Sequence, residues 1–155
     1  MYNPKWTGEI HDEWIRSLLS KRADLQRKDL ERTRAAMDSA FPVAEITNYK
    51  KIINNLSLPD QNDRHILAAA IKAKAEIIVT FNLKDFPPDY LSKYGISPLH
   101  PDQFILELII KDKKKVSQAL SNQVHHLKKP PQSKETVLQI LGNCGLKKTV
   151  KKLKE

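Results

Sequence analysis

Polar, mostly acidic side chains gather at two points of this sequence, on either side of one predicted helix and strand. The alanine-rich stretch 63–75 has the apolar spacing of a buried helix, and EIIVTF (76–81) is a continuous apolar run typical of a strand covered on both faces. The polar residues are Asp60, Asn62 and Asp63 before the helix, and Asn82 and Asp85 after the strand. Carboxylate and amide oxygens are ligands that suit hard cations such as Mg²⁺ or Mn²⁺.

The order of the elements predicts that these two groups meet. In a β–α–β unit the helix runs antiparallel to its strands, so the start of the helix and the end of the strand lie at one edge of the sheet, where ligands bind. Several carboxylates there would repel one another, and a divalent cation would relieve the repulsion. Each residue also has an ordinary explanation, since Asp63 suits a helix cap and Asn82 and Asp85 suit turns.

The remaining elements complete an α/β prediction. Alternating strand, helix, strand, loop, strand and helix imply a layered domain with a mainly parallel sheet. We predict helices over 6–19 and 21–41, a strand over 43–47, one helical turn within 48–62, another turn after Pro88, an edge strand over 96–100 and a helix from 101. In the first helix Ile10, Trp14 and Leu18 form the predicted inward stripe.

The charge is unevenly distributed along the chain. The net charge is +9, yet residues 1–110 hold 15 Lys and Arg against 15 Asp and Glu, whereas residues 111–155 hold 12 lysines against three acids. We therefore divide the chain into a domain over 1–110 and a basic, helical extension over 111–155, with a break at 129–133 and two short helices joined around Gly142 and Gly145. The excess of lysine favours a polyanionic partner; a solvated helix face or a DNA-reading helix-turn-helix are alternatives.

Composition also limits the setting of the protein. The only cysteine is Cys144, so no internal disulfide can form, which fits a reducing cytoplasm. No apolar run is long enough to cross a bilayer and no signal peptide is recognised, so no membrane association is expected.

Three blocks in order resemble the PIN domain, the nuclease fold of the VapC-type toxins. They are DRHILAAAI (63–71), VTFNLKDFP (79–87) and PDQF (101–104). EIHDEWIRSLL (9–19) is similar to the helix that carries an acidic residue of that family, and the lysine-rich end resembles its helical C-terminal extension.

The resemblance implies an acidic cluster that holds Mg²⁺ or Mn²⁺ and hydrolyses RNA phosphodiesters. By position in the matched blocks, the implied metal ligands are Glu13, Asp63 and Asn82, and the implied catalytic residues are these three with Asp85. Arg64 and His65 stand beside this site and are predicted with Thr80 as substrate contacts. A surface ion pair for Arg64, a packed or solvent-facing helix residue for His65 and an ordinary strand threonine for Thr80 are the alternatives. Asn82 stands where many relatives have Asp, and its amide oxygen brings no charge.

One departure from the family leaves two functions open. Family members open with a strand that ends in an Asp, and this chain starts at Met1 without that strand, so we interpret the domain as N-terminally shortened. The first hypothesis is a metal-dependent endoribonuclease, the toxin of a toxin–antitoxin pair, with an antitoxin partner and a homodimer as further expectations. The second is a catalytically impaired relative that binds nucleic acid or an antitoxin.

Overall fold

The first helix begins where the sequence supplies a cap. Thr7 is extended and its hydroxyl accepts a hydrogen bond from the N–H of Ile10 at 3.1 Å, which satisfies a donor that the first turn leaves free. The fully buried residues of this helix are His11 and Ile15. Of the predicted stripe, Ile10 and Trp14 are partly buried and Leu18 is exposed, so the stripe is not the buried face.

The computed structural model describes residues 1–128 and 130–155. The helices are α1 (Gly8–Lys21), α2 (Arg27–Ala40), α3 (Lys50–Ile53), α4 (Arg64–Ala73), α5 (Pro88–Leu91), α6 (Pro101–His126), α7 (Lys134–Asn143) and α8 (Lys147–Lys154), and the strands are β1 (Ile77–Val79) and β2 (Ser97–Leu99). Short 3-10 turns span Gln61–Asp63, Leu83–Asp85 and Ser92–Tyr94. The second helix was predicted from residue 21, but α2 begins at Arg27.

The sheet is small and parallel. Strands β1 and β2 pair with each other, which confirms the α/β class with a helical C-terminal region. The predicted strand over 43–47 is wrong, since the structure has only an isolated parallel bridge there, between Trp6 and Glu45. The segment next to Trp6 enters α1 at Gly8, so the pairing cannot extend along it.

Contacts divide the chain into two units. The first comprises Met1–Ile78 and Lys84–Ser97, and the second comprises Val79–Leu83 and Pro98–Glu155. The predicted boundary at residue 110 is not tested by this division and stays a prediction. All of α6 belongs to the second unit, because its first turn is hydrogen-bonded to α8 through Asp102.

The first unit has its core around α4. Leu67 and Ala68 of that helix are fully buried, and they pack in a cluster with Ile78 of β1, Phe86 and Leu91. The four consecutive residues Leu67–Ala70 are all buried, as the alanine-rich sequence predicts for a helix covered on most of its surface. This packing fixes α4, and with it the polar residues at its N-terminus.

The second unit is helical apart from its share of the sheet. Helix α6 is kinked at Asp112, which has non-helical backbone angles, and its second half packs through Leu120 against Val137 and Leu138 of α7. Lys129, the first residue of the predicted break at 129–133, lies outside the described residues; 130–133 separate α6 from α7 as expected. Among the described residues no helix is long and apolar enough to cross a bilayer.

Candidate metal centre

Three carboxylates converge at the N-terminal end of α4. They belong to Asp60, Asp63 and Asp85, and one oxygen of each lies within 4.8 Å of the other two. Asp60 and Asp63 stand three residues apart around a 3-10 turn, a spacing that places both side chains on one face of the turn. Asp85 closes the later 3-10 turn, before the buried Phe86. The predicted convergence of Asp63 and Asp85 is thus observed.

The ordinary explanation for Asp63 does not account for its position. Asp63 stands at the N-cap of α4, but its side chain makes no capping hydrogen bond. Its pKa is raised above the usual value, first because the carboxyl group is partly buried and then because Asp60, Asp85 and Glu13 place negative charge around it, while His65 opposes the rise. The carboxylate is therefore electrostatically unfavourable in this setting, and a cation would stabilise it.

The donor set fits a hard divalent cation. Oxygen ligands about 2.1 Å from Mg²⁺ in octahedral geometry lie about 3 Å apart when adjacent and about 4.2 Å apart when opposite. The observed spacing of up to 4.8 Å needs only small side-chain movements to reach those values. The group contains no sulfur or imidazole, so its chemistry favours Mg²⁺ or Mn²⁺ over Zn²⁺.

Glu13 lies near this group without belonging to it. Its charge contributes to the raised pKa of Asp63, but its Oε1 is 2.9 Å from Nε2 of His65 and forms an ion pair with that ring when it is protonated. The side chain is 44% exposed, which leaves its other oxygen accessible. Glu13 is thus held at the edge of the acidic group by a neighbour on α4.

His65 is the most buried of the predicted site residues. The residue is only 8% exposed, and Nε2 faces Glu13 while Nδ1 lies 3.7 Å from Oε2 of Glu9. Nδ1 has no hydrogen-bond partner among the described residues. Glu9 is also the acceptor for the buried hydroxyl of Tyr49. The ring therefore bonds Glu13 of α1 and lies beside Glu9 of the same helix, and its burial leaves little surface for contact with RNA.

The other predicted substrate residues are placed as follows. Arg64 is half-buried, its Nε donates to the carbonyl of Gln61 at 3.0 Å, and it forms no ion pair in the part of the chain described here. Thr80 and Asn82 lie in the second unit, where the Thr80 hydroxyl accepts from the Asn82 N–H at 3.0 Å. Asn82 thus belongs to a different unit from the three carboxylates, and its role as a metal ligand stays a prediction.

An open groove runs along the Glu13 side of the first unit. It encloses about 840 Å³ and is lined by Glu9, Glu13 and His65, with Arg16 and Asn62 at its sides. A groove of that size accommodates part of an extended polymer, and the half-exposed Glu13 carboxylate faces it.

Sequence reasoning placed Asp60 in the polar group but not among the ligands. Its spacing of three from Asp63 was the available signal, because residues three apart eclipse in a 3-10 turn. Glu9 was missed altogether. Its spacing of four from Glu13 puts both on one face of α1, but only the fold shows that His65 lies between them.

Comparisons with known proteins identify the family of this chain. Residues 2–84 match the PIN domain family, and residues 101–155 match the VapC50 C-terminal domain family. A Mycobacterium tuberculosis protein named "Putative ribonuclease VapC50" is 41% identical over 80 residues, which are 52% of this chain and 47% of that protein. The match thus spans about half the length of that relative. No solved structure matches the chain. Because the first match covers more than half of the 155 residues, the chain belongs to the PIN-domain family.

Proposed function

We propose that this protein is a divalent-cation-dependent endoribonuclease that hydrolyses RNA phosphodiesters with Mg²⁺ or Mn²⁺. The observation that carries the proposal is the group of Asp60, Asp63 and Asp85, whose oxygens lie within 4.8 Å of one another without a neutralising side chain in the group. A cation held there would lower the pKa of a bound water and neutralise charge that develops on the phosphate.

The side chains of this chain supply binding and orientation. Asp63 and Asp85 hold the cation with Asp60, and Glu13 contributes through the oxygen that His65 does not engage. Asn82 is proposed as a further oxygen ligand, which the matched block supports. The guanidinium of Arg64, which has no ion-pair partner within the described residues, is proposed to bind a phosphate of the substrate. Thr80, in the second unit, stays a proposed substrate contact on the basis of the matched block.

We further propose that the protein acts in the cytoplasm as the toxin of a toxin–antitoxin pair, with an antitoxin as partner and a homodimer as its assembly. The name of the 41% identical relative and the match to the VapC50 C-terminal domain support the toxin–antitoxin setting at the level of the family. The homodimer and the cytoplasmic location are carried over from the sequence alone.

A second candidate function is a binding module without catalysis. The observation that favours it is the hydrogen bond between Glu13 and His65, which occupies one oxygen of a proposed ligand. This alternative predicts RNA or antitoxin binding that does not require a cation.

RNA cleavage by the purified chain tests both functions. A mixed RNA panel is incubated with Mg²⁺ or Mn²⁺, with EDTA in parallel, and the products are resolved on gels. Asp63→Asn keeps the shape of the side chain but removes its charge. We expect cleavage to fall by about a hundredfold, since changing a residue that merely orients a metal ligand already costs on the order of 10–100-fold.

Asp29→Asn is the matched control, because Asp29 is exposed on α2 and the one ion pair that it forms with a described residue, Arg32, is a surface pair. This variant should cleave like the unmodified chain. Equal cleavage by Asp63→Asn and the unmodified chain would refute the nuclease proposal. Cation-independent RNA binding by a folded chain that does not cleave would favour the binding module.

A further inference from the structure

The last helix of the chain carries an unusual charge. Five of the eight residues of α8 are lysines, namely Lys147, Lys148, Lys151, Lys152 and Lys154. Lysines at spacing i, i+4, such as Lys147 with Lys151, repel each other and weaken a helix. A solvated helix face normally interleaves acidic residues, which α8 lacks before Glu155. A bound polyanion would neutralise this repulsion.

These lysines are not equivalent. Lys152 pairs with Glu155, and Lys154 pairs with Glu135 at 2.8 Å. Lys147, Lys148 and Lys151 are exposed and form no ion pair with any described residue. Helical spacing places these three together, within about 6 Å along the axis, because each residue advances the helix by about 1.5 Å.

The opposite face of α8 is packed, so the lysine face has a fixed orientation within the second unit. Thr149 is 2% exposed, and Val150 and Leu153 pack against the cluster formed by Leu120 and its neighbours on α7. The charges thus stand on one side of an amphipathic helix whose other side is part of a core.

The buried carboxylate of Asp102 anchors the start of α8. Its two oxygens accept hydrogen bonds from the N–H groups of Thr149 and Lys148 at 2.8 and 3.0 Å, and the Thr149 hydroxyl donates to the Asp102 carbonyl at 3.2 Å. The three lysines therefore belong to an ordered array and not to a flexible tail, which lowers the entropy lost when they bind.

We propose that Lys147, Lys148 and Lys151 of α8 form a face that binds RNA phosphates without reading the base sequence. The inference rests on the proposed function in taking RNA as the polyanion. Lysine side chains supply sequence-independent phosphate contacts. An acidic protein fits less well, because protein interfaces are centred on aromatic and apolar anchors, whereas the apolar residues of α8 are used in its own core.

The salt dependence of RNA binding tests this face. Binding of a labelled single-stranded RNA to the full chain is followed by fluorescence anisotropy in EDTA, over a series of KCl concentrations. For single strands the slope of log K against log salt changes by about 0.7 per phosphate contact, so replacing all three lysines by Gln should reduce it by about 2. The affinity at low salt should fall together with the slope.

A second triple variant controls for net charge. Lys21, Lys28 and Lys51 are exposed residues of the first unit that form no ion pair with described residues, and their replacement by Gln removes the same charge. This variant should keep the slope, and replacement of the three α8 lysines by Arg should restore it. Gln has a helix propensity close to that of Lys, and circular dichroism should show unchanged helicity.

The inference would be overturned if the two Gln variants reduced the salt slope equally, or if the α8 variant left it unchanged. It would also be overturned if the α8 variant bound RNA normally but no longer bound an acidic protein partner. Because binding is measured in EDTA, the result is independent of cleavage. A chain that cleaves no RNA but loses binding only in the α8 variant would retain this inference and refute the nuclease.

Discussion

The surroundings of Asp63 determine how readily its carboxyl group ionises. The cost of ionising it comes from partial burial and from three neighbouring carboxylates, and no hydrogen bond from the start of α4 offsets that cost. The sequence predicted that Asp63 and Asp85 meet, because chain order alone places both at one edge. It also placed Asp60 in the polar group at that edge but did not count it among the ligands, because the approach of its carboxylate to those of Asp63 and Asp85 depends on the 3-10 turn that precedes α4.

The glutamate pair around His65 yields a prediction at the same scale. Replacing His65 by Ala removes the donor that holds Glu13 and leaves Glu9 without the ring beside it. Removing a group that orients a metal ligand typically lowers metal affinity or activity about 10–100-fold. We therefore expect roughly a tenfold or greater loss of Mn²⁺ affinity and of RNA cleavage. Calorimetric titration with Mn²⁺ and single-turnover cleavage would measure the two effects.

His126→Ala is the control for that change, since His126 is exposed and, within the described part of the chain, hydrogen-bonds the Asn122 carbonyl on its own helix. His65→Gln retains a donor and should recover part of the affinity. If His65→Ala bound Mn²⁺ as tightly as the unmodified chain, the positioning role would be wrong even if the variant were less stable.

Among the elements, α1 is where the sequence pattern misled most. The apolar residues Ile10, Trp14 and Leu18 repeat every four positions, but the buried face carries His11 and Ile15. A histidine is hidden there because its polar atoms are satisfied. Trp14 can only donate, so its bond to Nδ1 leaves Nε2 of His11 to donate to Asp38. Periodicity counts apolar residues and does not detect such pairing.

The start of α8 supports a prediction about pH. Burial opposes ionisation of Asp102, but the N–H groups of Thr149 and Lys148, the Thr149 hydroxyl and the nearby His100 outweigh it, so the pKa lies below its usual value. A lowered pKa stabilises the folded state above the pKa of the unfolded chain, about 3.9, and this stability is lost as the pH falls through the folded value. The second unit should therefore be destabilised below about pH 4.

Asp102→Asn should remove that contribution at neutral pH. Charge-assisted hydrogen bonds are worth about 1.5–3 kcal/mol, and we expect the free energy of unfolding to fall by about 2 kcal/mol at pH 7 and by much less near pH 3. Urea unfolding followed by circular dichroism would measure both. Glu107→Gln, an exposed change on the same helix, should have no effect. If Asp102→Asn lowered the free energy of unfolding equally at both pH values, Asp102 would act through packing alone.

At the scale of the whole molecule, the order of the matched blocks was the most informative feature of the sequence. It identified the α/β class and the family, both of which are confirmed. Local patterns were weaker, as the segment 43–47 shows. Its β-branched residues predicted a strand, but strand formation requires a partner, and only Trp6 pairs with it. Long-range pairing of this kind is not encoded in five residues.

Cation binding should stabilise the first unit as a whole, because Asp60 and Asp63 are joined by it to Asp85, over twenty residues later in the chain. At a cation concentration about 100 times the Kd, the gain is about 2.7 kcal/mol. Both tryptophans, Trp6 and Trp14, lie in this unit, so thermal unfolding followed by their fluorescence should shift upwards with Mg²⁺ or Mn²⁺.

In Asp63→Asn the cation should no longer raise the unfolding temperature. Without cation this variant should unfold at a slightly higher temperature than the unmodified chain, because it removes the repulsion between Asp63 and the neighbouring carboxylates. The cation should raise the unfolding temperature of Asp29→Asn as much as that of the unmodified chain. An equal rise in Asp63→Asn would mean that the cation binds elsewhere.

The chain passes from the first unit to the second and back before entering the second again, and this interleaving governs how the protein can be shortened. Deleting everything from Pro98 onward would remove Leu99, whose carbonyl accepts the N–H of Thr80, and would disturb the segment that also carries Asn82. Ending the chain at residue 110 would keep Leu99 but leave the buried Asp102 without Thr149 and Lys148. Either way of shortening the chain therefore breaks hydrogen bonds of the described residues, and those from Thr149 and Lys148 to Asp102 join the lysine-rich end to the first turn of α6.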